Sequence, residues 1–257
     1  MGLFSRKRSD SDAGSYDAMP EVLDRPSEAP VGLFSQFIDE KQTVVLATHI
    51  NQITWNSEDR MRIMDASTGQ LLMVPTYRKS KGTLPHEMCD TQGQTLFRMK
   101  LKFWSRTNTF HGLSATNEEE IIFTVKSDSQ VTKLVLSFKN PTDGRETEIS
   151  LQDHGVSGTL LYKNTGVFHL ASAEGNPVIG YLTPKPPTSF QEGGASAAED
   201  ARKRNISSYV SVAPGVDATL LEVLYICTEE IRQLYRVGSA AAGSAVASSA
   251  ATVVLTM

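Results

Sequence analysis

The chain has 257 residues, 40% of them hydrophobic and 21% charged, with a net charge of −4. That length holds one large or two ordinary domains with a buried core. The near-balanced charge excludes a global attraction to nucleic acid or anionic lipid, so any such attraction must be local.

Only two cysteines occur, Cys89 and Cys227, which excludes a disulfide scaffold. Cys227 falls in an apolar stretch, where a reduced, buried thiol is expected, and this points to a reducing compartment. The opening residues, MGLFSRKRSD, carry basic side chains but no apolar run of the length a secretory signal needs. The expectation is a cytoplasmic location, with peripheral attachment to a membrane as its extension. Gly2 fits the start of an acylation motif, yet Arg6 stands where that motif requires Ser or Thr. Residues 1–30 are rich in Ser, Asp, Glu and Pro and bury too little apolar surface to offset ordering entropy. They are predicted as a disordered tail, able to recruit protein partners.

A domain from residue 31 to 236 follows, most of it short strand patterns with turn punctuation. Strands are predicted at Met61 to Met64, Leu71 to Pro75, Thr95 to Trp104, Ile121 to Lys126 and Val131 to Lys139. Others are predicted at Glu146 to Leu151, Val156 to Tyr162, Val167 to Ala171, Val178 to Thr183 and Ser207 to Val212. The clearest is Thr95 to Trp104, where Phe97, Met99, Leu101 and Phe103 alternate with Arg98, Lys100, Lys102 and Trp104. Period-two alternation gives one apolar and one basic face. Asp65 to Gly69, Asp90 to Gly93 and Ala173 to Asn176 read as hairpin turns, since Asp, Asn and Gly tolerate positive φ. The spacing matches an all-β barrel or sandwich.

Pro184 to Asn205, with its prolines, Gly pair and mixed charge, is predicted as a surface excursion between two strands. Val212 to Tyr235 then gives the one long helical pattern. Between Leu220 and Cys227 only Glu222 is charged, so this helix must be enclosed. Asp217, Glu222, Glu229, Glu230 and Arg232 argue against a bilayer span. The expected core is Leu220, Leu221, Val223, Leu224, Ile226, Cys227 and Ile231, with Pro214, Gly215 and Asp217 forming the turn and helix start. Residues 237–257, mostly Ala, Ser and Gly, read as a low-complexity tail.

No catalytic motif is complete. The five histidines form no i, i+4 pair, His86 with Cys89 is an isolated two-ligand fragment, and Gly112 to Thr116 misses the serine-hydrolase elbow. A non-enzymatic protein without metal or cofactor is expected. What remains is positive charge: Arg98, Lys100, Lys102 and Arg106 on one strand region, with Arg78, Lys79 and Lys81 before it. These seven are the candidate site for anionic phospholipid headgroups at a membrane surface. A solvated outer face and a scaffold that binds only protein partners are the alternatives; nucleic acid is not an expected partner.

Val212 to Ala218, followed by the apolar helix ending Glu229, Glu230 and Ile231, resembles the C-terminal signature of LURP-one-related proteins. Asp90, Gly93, Leu96, Arg98, Lys100, Leu101, Trp104, Phe110 and Gly112 resemble that family's turn and basic strand, and Val156 with Gly158 adds a third match. The resemblance covers about residues 33 to 236. It implies a tubby-like fold, a closed antiparallel barrel of about twelve strands around a central C-terminal helix, as also expected of phospholipid scramblases. It brings no settled catalytic activity; tubby-like domains of another branch bind phosphoinositides.

Overall fold

A computed structural model describes residues 22–50, 61–77, 86–102, 107–153, 159–161, 164–186 and 206–253. Its strands are β1 (Val44–Ile50), β2 (Met61–Asp65), β3 (Leu71–Tyr77), β4 (His86–Asp90), β5 (Thr95–Lys102) and β6 (Thr109–Ser114). They continue with β7 (Ile121–Ser127), β8 (Lys133–Lys139), β9 (Glu146–Gln152), β10 (Gly166–Leu170), β11 (Val178–Thr183) and β12 (Ile206–Val212). Each strand pairs antiparallel with its neighbour in sequence, and β1 pairs with β12 through Val44↔Val212 to Ala47↔Tyr209, which closes the barrel. Closure leaves no free sheet edge for another chain to pair with.

Period-two alternation puts one set of side chains inside. Phe97 and Met99 of β5, Leu134, Leu136 and Phe138 of β8, and Ile149 and Leu151 of β9 are all buried. The three predicted hairpin turns form. In the β4–β5 turn, Asp90 Oδ1 accepts the Gln92 and Gln94 amides at 2.9 and 2.8 Å, and Gly93 takes φ +79°, a region that disfavours a side chain.

The first turns of the helix α1 (Ala218–Val253) are enclosed by the barrel. Every residue from Ala218 to Thr228 is buried, and successive residues step about 100° around a helix, so this segment is enclosed on all sides. All seven predicted core residues are at most 1% exposed. From Gln233 onward exposure rises, and the helix leaves the barrel at Leu234 to Arg236. Gly215 takes φ +80° at the turn, and Asp217 Oδ1 accepts the Thr219 amide at 2.9 Å, an N-cap.

A strap runs beneath the helix start. Val31 donates to the Gly215 carbonyl at 2.8 Å, Asp217 donates to Val31 at 2.9 Å, and Gly215 donates to Asp39 at 2.7 Å. Asp217 Oδ2 accepts the amides of Leu33 at 3.0 Å and Phe34 at 2.8 Å. The packed chain begins earlier than the predicted tail ends: Leu23 is buried and donates to Thr43 Oγ1 at 3.0 Å, and Asn140 Nδ2 donates to the Pro30 carbonyl.

Three strands went unforeseen. In β1, the unbroken apolar run Val44 to Ala47 masks the alternation, and Leu46, Ala47 and Thr48 are all buried. In β6, Gly112 sits against the Phe123 ring where a larger inward residue would be expected. β4 is only five residues long. The strand predicted at Val156 to Tyr162 is not formed where it is described: residues 159–161 make a turn, with Leu160 buried and donating to the Val131 carbonyl at 2.9 Å. Arg232 of α1 donates back to the Leu160 carbonyl through Nε at 2.8 Å. Val131, predicted to start a strand, takes φ 55° in the turn before β8.

Candidate functional site

Register across β5, β6 and β7 builds the outer basic face. Paired residues share a face in an antiparallel sheet. Lys100 pairs with His111 and His111 with Thr124; one row along, Lys102 pairs with Thr109 and Thr109 with Lys126. The strand phase that buries Phe97, Met99, Phe110 and Val125 therefore turns Lys100, Lys102, His111 and Lys126 outward onto one patch.

The patch is concave. Lys102, Thr107, Thr109, His111, Thr124, Lys126, Ser137 and Glu146 line a hollow of about 560 Å³. His111 Nδ1 lies 3.2 Å from Thr124 Oγ1, which fixes the ring in its row. Burial holds the His111 imidazole below its usual range, and Lys102, Lys126 and Lys100 push it the same way. Among the described residues, no carboxylate lies within ion-pair distance of Lys100, Lys102 or Lys126. One acid, Glu146, is among the lining residues.

The structure separates the candidates read from the sequence. Lys102 lines the concavity, and Lys100 pairs with the lining residue His111. Arg98, on the same face, is committed elsewhere: it donates to Glu87 of β4 through Nε and to Glu118 through an Nη atom, each at 2.9 Å. Arg78, Lys79, Lys81 and Arg106 lie outside the described residues. Lys126 and His111 went unnoticed as site residues because each stands alone in its own strand. Their proximity to Lys100 and Lys102 is a property of register, which single-strand alternation does not report.

A second polar cluster lies inside the barrel. Glu222 of α1 is fully buried, and the Thr48 hydroxyl donates to both its carboxyl oxygens at 3.0 Å. Burial pushes Glu222 up to about 8, opposed only by that hydrogen bond, so it is protonated at neutral pH. The Tyr225 hydroxyl faces that of Ser208 without a hydrogen bond of good geometry. Both cysteines are free and buried, and burial raises the Cys227 thiol. A raised thiol is a poor nucleophile. Among the described residues no group of acids, histidines and cysteines could hold a metal ion, and no helix is long and apolar enough to cross a membrane.

No curated protein matches the chain. A solved X-ray structure of a protein from Arabidopsis thaliana is similar with a TM-score of 0.47 and 16% identity, over 79% of this chain and 99% of that one. The LURP-one-related family model matches residues 39–181, more than half of the chain, and stops short of the Pro214 to Asp217 segment. With that match across β1 to β11, the chain belongs to the LURP-one-related family.

Proposed function

We propose that this protein is a non-enzymatic, tubby-like membrane-surface module that binds the phosphorylated headgroups of anionic phospholipids in the concavity across β5, β6 and β7. The observation that carries this reading is the convergence of Lys100, Lys102 and Lys126 about His111, with no carboxylate among the described residues paired to any of the three. Unpaired cations held in a hollow retain their charge for a ligand and approach it from several sides. Each basic residue at an anionic membrane contributes about 1 kcal/mol. Three together give a difference of roughly 100-fold in binding. Arg98 is not counted, because Glu87 and Glu118 already neutralise it.

Flotation with phosphoinositide vesicles at low salt tests the reading, since screening is weakest there. The wild-type chain should float with the vesicles, and Lys100→Gln, Lys102→Gln, Lys126→Gln combined should lose roughly 100-fold of that affinity. A folded wild-type chain that stays unbound, or a triple variant that binds equally well, would defeat it. A barrel that ignores vesicles but captures proteins through its terminal segments is the scaffold outcome of the same experiment.

A further inference from the structure

The central group of this face is an imidazole, the one side chain whose charge changes near neutral pH. His111 is bracketed in its own row by Lys100 on β5 and Thr124 on β7. Lys102 and Lys126 face it from the next row, on the same two strands. From β8 and β9 the lining residues are Ser137 and Glu146, and Glu148 accepts from the Ser137 hydroxyl at 3.2 Å, so among the described residues the charged groups around the ring are three lysines and two carboxylates. With Nδ1 engaged by the Thr124 hydroxyl, Nε2 is the ring nitrogen left for a ligand.

We propose that His111 makes the concavity a proton-gated phosphomonoester site, which grips a terminal phosphate more tightly as pH falls from about 7.5 towards 6 and prefers it to a phosphodiester. It rests on the reading that this face holds phosphorylated headgroups. In the empty site the three lysines disfavour a fourth positive charge. A bound phosphate inverts that balance, because its negative charge lies against the same cations and the ring then takes up a proton. Binding that takes up a proton strengthens as protons become more available, by linkage. A phosphomonoester carries about −1.5 to −2 charge and three free oxygens, whereas a phosphodiester offers −1 and two. Lys102, Lys126 and the protonated ring in one hollow, with Lys100 paired beside the ring, therefore favour the monoester.

The test uses the full chain and vesicles containing a phosphatidylinositol phosphate, with phosphatidylserine vesicles at matched surface charge, each at pH 7.6 and 6.2. Binding to the phosphoinositide vesicles should tighten several-fold at the lower pH and exceed that to phosphatidylserine. His111→Gln, whatever its affinity at pH 7.6, should lose the gain at the lower pH. The headgroup's own titration is common to both proteins, so the difference between them isolates the ring. Equal pH ratios in wild type and His111→Gln, or equal binding to the two lipids, would overturn the proposal. Loss of wild-type binding to every vesicle would overturn the underlying headgroup reading as well. Soluble inositol phosphate, titrated at both pH values, should show the same ratio if phosphate alone is recognised; a ratio seen only with vesicles assigns the source to the membrane. Should His111→Gln fold poorly, NMR titration of the wild-type ring decides. An upward shift of its midpoint on adding the headgroup is expected, and an unmoved midpoint refutes the gate.

Discussion

Thr48 and Glu222, 174 residues apart, meet in the buried interior, where the β1 hydroxyl donates to both oxygens of the helix carboxyl. Glu222 is at 0% exposure, so its ionised form would be a buried charge with no cation beside it among the described residues. Its midpoint is about 8 in the folded protein against an ordinary 4.5. Between those values the folded state holds a proton that the unfolded chain has released, so stability falls as pH rises through that window. Asp217, raised by burial to about 6 from 3.8, acts in the same direction over its narrower range. Glu222→Gln, which cannot ionise, should therefore gain thermal stability relative to wild type as pH goes from 5 to 8.5. Melting curves in parallel buffers check this; a difference independent of pH would show that Glu222 does not titrate on unfolding.

Asp217→Asn should destabilise the fold by about 2 kcal/mol or more. The two carboxyl oxygens serve different masters, Oδ1 the helix amide of Thr219 and Oδ2 the strap amides of Leu33 and Phe34. An amide has one acceptor oxygen, so either orientation turns an NH2 group towards a backbone N–H. Denaturant titration gives the magnitude, and amide exchange at Leu33 and Phe34 shows whether the strap loosens first.

Gly112→Ala should cost about 2 to 3 kcal/mol through overpacking. A Cβ there would sit inside van der Waals distance of the Phe123 ring, which is 1% exposed and packs edge-on against Phe97 with centroids 5.1 Å apart. Adding Phe123→Leu should recover part of the loss in a double-mutant cycle. Additive losses would mean that the clash is relieved elsewhere.

Arg98 and Lys102 lie on one strand face yet should respond in opposite ways. Arg98→Gln removes the partner of Glu87, whose side chain is 9% exposed, and should lower stability by about 1 kcal/mol with vesicle binding unchanged. Lys102→Gln should leave stability within about 0.5 kcal/mol and weaken binding. Melting and flotation on the same two samples separate these roles.

Much of this architecture was legible. Asp-Gly turns, the alternation of Phe97, Met99 and Leu101, and the uncharged run on either side of Glu222 each encode a local choice that the fold keeps. β1 and β6 were hidden because the apolar run Val44 to Ala47, with three consecutive buried residues from Leu46 to Thr48, or a Gly112 packed against the Phe123 ring, breaks the two-residue rhythm. The site was half legible for the same reason. Lys100 and Lys102 follow from phase within β5, but the neutralising partners of Arg98 stand 11 and 20 residues away in sequence, and His111 and Lys126 join the patch only through cross-strand pairing.

The strap and helix start also set an order of assembly during synthesis. Asp217 caps the helix and holds Leu33 and Phe34 across a span of 184 residues, and the inner faces of the strands close on a segment that follows all of them. On a ribosome, the strands emerge before the element that fills them, so an apolar lumen waits unfilled until α1 clears the exit tunnel. A nascent chain arrested before Ala218 should bind chaperones and resist cooperative unfolding assays, whereas one arrested well beyond Arg236 should melt as a unit.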